Sequence, residues 1–381
     1  MLSLIYGLTS GGMLILAFLI LTNPRKVNQI GNRWLAFFLF TLFFLLIDEC
    51  LFDNKVYNQY PQLIGLNNIF IFTTAPALYL SVSHFISPSK RLKKVEFLHF
   101  LPTVLFFPVT AITLMQSTEE KLKLINEIDT LPPQAFDYWF SYLIWLQLGI
   151  YLILGFMKLN KHQKNINLFA SNTARIDLNW LKYCLIGSAF LLIVWIFDSL
   201  YYEQESSISS AFGYLVGTYF LGFFALRQEE IFPFKETDIA EIEEIIDETS
   251  TAATKQQRIS ETELMVLKEK LSYLMASEKL YLDETLSLPK LAEKMQSSVH
   301  NLSYLLNEGF GENFFQFVNK YRVEEAKNLL LSPKYEQLSM IGIAYESGFS
   351  SKTTFNTTFK KMTGISPSAF LSDYSKEKIS S

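Results

Sequence analysis

The sequence predicts an all-α protein in two parts, an N-terminal bundle of seven transmembrane helices and a soluble all-helical double helix-turn-helix domain. Three observations carry that prediction. Half of the 381 residues are hydrophobic, but all five Trp and 26 of the 34 Phe precede Lys235, whereas 24 of the 37 acidic residues follow Arg227. The first part contains seven long apolar runs. From Ser260 onward the apolar residues fall instead into the three- and four-residue steps of soluble amphipathic helices. A single soluble globule mixes apolar and charged residues along its length and is excluded, as is a chain embedded in lipid throughout.

The apolar runs cover residues 2–22, 34–52, 63–86, 97–116, 139–159, 180–202 and 208–226. Each has roughly the 17–25 residues that a helix needs to cross a hydrocarbon core of ~30 Å. Each is apolar on every face, whereas a membrane barrel strand alternates over ~10 residues. The first run has no basic segment before it and ends in Asn23-Pro24-Arg25-Lys26, which reads as an anchor stopped by charge.

The loops set the expected orientation. The first, third and fifth hold Arg25, Lys26, Arg33; Lys90, Arg91, Lys93, Lys94; and Lys158, Lys161, Lys164, Arg175, Lys182, which with Arg227 makes 13 basic residues. The even loops hold only Lys55, Lys121 and Lys123. Positive charge collects on the cytoplasmic side. The expectation is therefore a multi-pass protein of the cytoplasmic (inner) membrane, with its N-terminus outside and everything after Arg227 in the cytoplasm.

Polar residues near the external ends of these runs invite explanation, because they are costly in lipid. Asp48 and Glu49 end the second run, Asn67 and Asn68 begin the third, and Asp198 with Tyr201 and Tyr202 ends the sixth. They read either as interhelical glue and interfacial anchors or as a sensor pocket open to the outside, with Asp48, Glu49, Asn67, Asn68 and Asp198 as its candidate lining. Pro76, Pro102 and Pro108 are expected to kink the third and fourth helices.

Several chemistries find no footing. Cys50 and Cys184 fall in apolar runs, which gives neither a disulfide framework nor a Cys-based zinc site. His84, His99, His162 and His300 are scattered, and no H-E-x-x-H pattern accompanies them. The last apolar run has no Lys to carry a retinal Schiff base. No catalytic residue, metal or cofactor is expected.

Residues 1–227 thus form the membrane part, and residues 228–257 an acidic linker in which nine acids face two lysines. Such a stretch reads as a solvated, partly disordered spacer that anionic lipid repels. As a flexible coil it spans on the order of 30 Å, at ~5–6 Å × √n.

Residues 258–381 form the last part. Short helices are expected over 287–295, 299–307, 314–331, 340–347 and 351–362, giving one helix-turn-helix at about 287–308, a connecting helix at about 314–331 and a second helix-turn-helix at about 339–363. The second unit is the more informative. Ala344 is small where two helices cross, Gly348 can take positive φ at the turn, Phe349 plugs the corner and Ser351 caps the next helix. Phe355 and Phe359 bury one face of that helix and leave Lys352, Thr353, Asn356, Thr357 and Lys360 toward the other, until Gly364 and Pro367 stop it. Lys, Thr and Asn at the start of an exposed helix suit base edges and phosphates.

The run from Ile343 to Pro367, A-x-x-x-G-F-x-S-x-x-x-F-x-x-x-F-K-K-x-x-G-x-S-P, resembles the second helix-turn-helix of the AraC/XylS family of transcriptional regulators. Leu291-Ala292, Ser298 to Tyr304, Asn313-Phe314-Phe315 and Tyr321 to Ala326 resemble that family's first unit and connecting helix, so the resemblance covers roughly residues 260–374. It implies two recognition helices that enter successive major-groove segments of double-stranded DNA. The first would present Ser298, His300, Asn301, Ser303 and Tyr304. The second would present Ser351, Lys352, Thr353, Asn356 and Thr357, with Lys360 toward phosphate.

Two features depart from the pattern. Tyr304 and Thr357 stand where family members often carry Arg, and acidic and basic residues nearly balance after Arg258. Non-specific affinity should be modest. Tight binding then calls for two copies, which a membrane-held homodimer supplies by effective concentration. The expected whole is a membrane-tethered transcription regulator whose partners are DNA, the lipid bilayer and an unidentified signal ligand. The alternative is a receptor or transporter-like membrane protein whose helical tail binds a protein partner.

Overall fold

A computed structural model of the chain describes residues 1–88, 91–128, 135–173, 176–201, 208–250, 259–332 and 338–380. The regular elements among them are helical. Two compact units emerge, and the chain passes between them more than once: Met1–Asn160 with Leu178–Ile231, and Lys161–Asp177 with Phe232–Ser381. The first unit ends at Ile231, near the expected boundary at residue 227, and the segment Lys161–Asp177 belongs with the second. Tyr202, Lys90, Arg175 and linker residues 251–257 lie outside the described residues, as do the side chains of Asp198, Tyr201 and Glu248.

The first unit contains α1 (Leu2–Leu21), α2 (Gln29–Asp53), the short α3 (Val56–Gln59) and α4 (Asn68–Ile71), α5 (Thr74–Phe85), α6 (Leu101–Met115), α7 (Thr118–Ile128), α8 (Ala135–Asn165, whose last turn enters the second unit), α9 (Asn179–Tyr201) and α10 (Ile208–Ala225). Among the described residues six helical stretches are long and apolar enough to cross a membrane: Leu2–Leu21, Gln29–Asp53, Lys94–Met115, Ala135–Leu168, Asn179–Phe197 and Ile208–Ala225. The third expected helix is instead a bent pair, Pro61–Ile71 and Thr74–Phe85, set at 43°.

Proline chemistry accounts for the break. Pro76 has no N–H to offer the Phe72 carbonyl four residues back, and its ring crowds that oxygen. Gln147 Nε2 donates to the freed carbonyl at 3.0 Å, so a neighbouring helix satisfies what the break exposes. Where α2 and α5 meet, Ser81 Oγ donates to the Gly31 carbonyl at 3.1 Å, and a Cβ on Gly31 would come within 2.9 Å of the Phe85 ring. Gln228, the first residue of the expected linker, is already part of this unit. Its Nε2 donates to Asn32 Oδ1 at 2.6 Å and its Oε1 accepts from Asn28 Nδ2 at 2.9 Å.

The second unit contains α11 (Glu236–Ser250), α12 (Glu261–Tyr273), α13 (Leu288–Met295), α14 (Val299–Tyr304), α15 (Phe314–Leu330), α16 (Met340–Glu346), α17 (Lys352–Thr363) and α18 (Pro367–Ser380). The acidic stretch, expected to be open coil, is thus helical over fifteen residues. Ile239, Ile242 and Ile245 recur every third residue and are buried, which gives the helix an apolar seat despite its seven carboxylates. Pro367, expected only to stop α17, begins α18, where a missing N–H costs nothing.

Residues from between α8 and α9 complete the core of this unit. Phe169 is 1 % exposed, its carbonyl accepts from Leu288 N at 2.9 Å, and Ala170 forms an antiparallel bridge with Ser287. A second cluster of Val323, Ala326, Leu330, Ile343, Ala344, Phe349, Phe355 and Phe359 joins α15 to the pair α16 and α17.

Candidate nucleic-acid interface

The second helix-turn-helix is built by its special residues. Ser339 caps α16 by accepting from Gly342 N, and Ser351 caps α17 by accepting from Thr354 N at 3.1 Å. Ala344 is fully buried at the crossing. Gly348 has φ +85°, and a Cβ there would lie 2.4 Å from the Tyr281 carbonyl oxygen and 2.9 Å from Leu282 Cα. Only glycine fits, for both conformation and room. Phe349 is buried with its ring 5.3 Å from that of Phe355.

On α17 the buried residues are Phe355, Thr358 and Phe359. Each Phe contributes on the order of 2–3 kcal/mol of burial, which fixes the rotation of the helix about its axis. Lys352, Thr353, Thr357, Lys360 and Lys361 consequently point to solvent, and Asn356 and Ser351 are half-buried at the edge of that face. Asn356, Thr357, Lys360, Lys361, Gly364, Ser366 and Ser368 line an open concavity along the helix. Among the described residues no ion pair engages Lys352, Lys360 or Lys361.

The first unit has the same scaffold and a different face. Ser287 caps α13, Ser298 caps α14 by accepting from Asn301 N at 3.1 Å, and the chain turns between them through Gln296 at φ +53°. Of the five residues expected to face outward, Ser298 is exposed, and Asn301 and Tyr304 are half-buried. His300 and Ser303 are each 8 % exposed in this structure. Ser303 lies on the apolar stripe formed by Val299, Leu302 and Leu306, at the three- and four-residue spacing that sequence reading should have caught. His300 is covered by α11: Glu244 Oε2 lies 2.8 Å from its Nε2, and its backbone N–H donates to Glu241 Oε2 at 2.9 Å.

Arg322 on the connecting helix α15 ties that helix to the segment preceding α13 and to the loop at Ser171, a role that sequence reasoning missed. It is fully buried. Its Nε donates to the Tyr281 carbonyl at 2.7 Å, Nη1 to the Ser171 carbonyl at 3.2 Å, and Nη2 to Ser171 Oγ at 3.0 Å and the Asp283 carbonyl at 2.8 Å. Burial pulls the guanidinium down to about 10, so it remains charged at neutral pH and its four bonds are charge-assisted. Asn319 adds a bond to the Ser171 carbonyl at 3.1 Å.

Of the expected sensor residues, Asp48 has a side-chain partner, and the side chain of Asp198 lies outside the described residues. Tyr57 OH donates to Asp48 Oδ1. Glu49, Asn67 and Asn68 are half-buried, and among the described hydrogen bonds none links either asparagine to Asp48. Asn54 ties Ser3 to the Cys50 carbonyl, a helix-end clasp of the kind expected of interhelical glue.

Comparison with known proteins matches the family described as a helix-turn-helix domain over residues 291–373. An uncharacterised HTH-type transcriptional regulator of Staphylococcus aureus strain COL is 36 % identical over 94 residues, which is 25 % of this chain. The counterpart in strain MSSA476 matches over the same share. This chain covers 12 % of the length of each of these relatives. A crystal structure of the C-terminal domain of the two-component response regulator YesN from Fusobacterium nucleatum is 33 % identical, with 27 % of this chain and 96 % of that chain covered and a TM-score of 0.25. The C-terminal region is therefore a helix-turn-helix domain of the AraC type, similar to domains of transcriptional regulators.

Proposed function

We propose that the chain is a membrane-tethered, sequence-specific DNA-binding transcription regulator, with the apolar half as anchor and signal input. The observation that carries this reading is the open face of α17, which presents Lys352, Thr353, Thr357 and Lys360 from a helix locked by two fully buried phenylalanines. Such a helix fits the major groove, where Lys and Thr reach phosphates and base edges and Asn356 at its margin suits adenine. The match to a helix-turn-helix domain supports the same conclusion.

The apolar helices and the 13 to 3 distribution of loop charge support anchoring in the inner membrane with this domain in the cytoplasm. The regulator acts by binding and positioning alone. A signal at the membrane part alters helix packing, and through it the pairing or reach of the DNA-binding domains. The near-neutral charge of the domain favours homodimers for tight binding.

The test is selection of duplexes by the full chain in lipid nanodiscs, followed by Lys352→Ala with Asn356→Ala on the selected duplex. The expected result is enrichment of one motif by the parent chain and loss of most of its occupancy in the variant. A tail that docks a protein would enrich no motif.

A further inference from the structure

We infer that α11 is an intrachain competitor for DNA at the first helix-turn-helix, so the chain carries its own block on one of its two recognition helices. The inference rests on the DNA-binding reading above. Its basis is the contact itself. Glu241 accepts from the backbone N–H of His300 at 2.9 Å, and Glu244 sits 2.8 Å from the His300 ring. A backbone N–H in the first turn of a recognition helix and a donor side chain beside it are the groups that phosphate oxygens seek. A carboxylate oxygen is the same kind of acceptor, and the two cannot be present together. Seven carboxylates and no basic residue on α11 would also repel a duplex laid against α14.

The block is built to come off. The Glu244 side chain is 59 % exposed while that of His300 is 10 % exposed, so water reaches the carboxylate end of the pair and competes for it. What seats the helix is the row Ile239, Ile242 and Ile245. The second recognition helix has no such cover: among the described residues, no carboxylate is bonded to Lys352, Asn356 or Lys360. One unit is thus free to find DNA while the other is withheld until α11 moves.

The experiment compares full-length chains in nanodiscs on the duplex selected by the parent, reading affinity by anisotropy and the bound bases by footprinting. Glu241→Gln with Glu244→Gln is expected to tighten binding about tenfold and to extend protection over the half-site of the first unit. Glu261→Gln with Glu263→Gln removes the same charge from α12 and is expected to change affinity less than twofold, as a solvated pair of glutamates should. Ile242→Glu unseats the helix while adding negative charge. It is expected to tighten binding, the opposite of what bulk charge would do, with far-UV circular dichroism confirming that the domain is folded. Equal gains from both glutamine pairs, or unchanged affinity and footprint in the α11 variants, overturn the inference and leave DNA binding intact. Failure of every chain to bind any duplex overturns both.

Discussion

In the first helix-turn-helix unit the recognition helix begins beneath two glutamates of α11, whereas in the second it begins in the open with three lysines unpaired among the described residues. The turns differ in the same sense. The second turns through Gly348 at φ +85° with backbone pressed against it, and the first through Gln296 at φ +53°, where a side chain is tolerated. Backbone architecture is shared and surface availability is not. A helix-turn-helix pattern in sequence therefore reports that a recognition helix exists, and says little about whether it can be reached.

The largest expected effect removes the buried anchor of the connecting helix α15, on which both units pack. Arg322→Met leaves three carbonyls and a hydroxyl without their buried donor and should cost about 3–5 kcal/mol. Hydrogen exchange should then rise across residues 259–332 and 338–363 together. Exchange confined to one unit would mean that the units are held independently. Gly348→Ala should cost about 2–4 kcal/mol, because a Cβ would meet backbone atoms of Tyr281 and Leu282 that cannot step aside. Its loss should appear first in α16 and α17.

Asn356→Ala and Asn301→Ala probe the two faces directly. Loss of a bidentate contact to adenine is worth about 1–3 kcal/mol. About tenfold weaker binding is expected for Asn356→Ala and less than twofold for Asn301→Ala, because α11 keeps the first face from the duplex. Adding Ile242→Glu should make the two losses equal. The smallest effect is Gln296→Gly, which relieves a left-handed non-glycine residue and should raise stability by about 0.5–1 kcal/mol in thermal melts. A loss there would mean that the Gln296 side chain has a role that the turn geometry does not reveal.

Much of the second part was legible because its punctuation is local. Ser287, Ser298 and Ser351 each cap the helix that follows them, and Gly348 makes the turn that its type predicts. What sequence reading missed depends on distant partners. Arg322 is charged and reads as exposed; only the carbonyls of Tyr281, Asp283 and Ser171 make its burial tolerable. The helix of residues 236–250 was hidden by its carboxylates, although Ile239, Ile242 and Ile245 had already written its period. Ile166 and Phe169, apolar in a loop between two long apolar runs, were the available sign that this loop packs into something. The bend at Phe72 and Thr73 was half legible, since Pro76 was noted as a kink, but Gln147, which takes the freed carbonyl, is a distant partner in sequence.

Ser171 carries one more implication. It receives three of the bonds that Arg322 and Asn319 make, and it lies more than a hundred residues upstream of either. The DNA-reading body is therefore discontinuous in the gene. A fragment cloned from the linker onward omits part of its own interior and leaves a buried guanidinium half unsatisfied. A recombination crossover within the linker would sever the same body, so the two ends of this chain are not interchangeable cassettes.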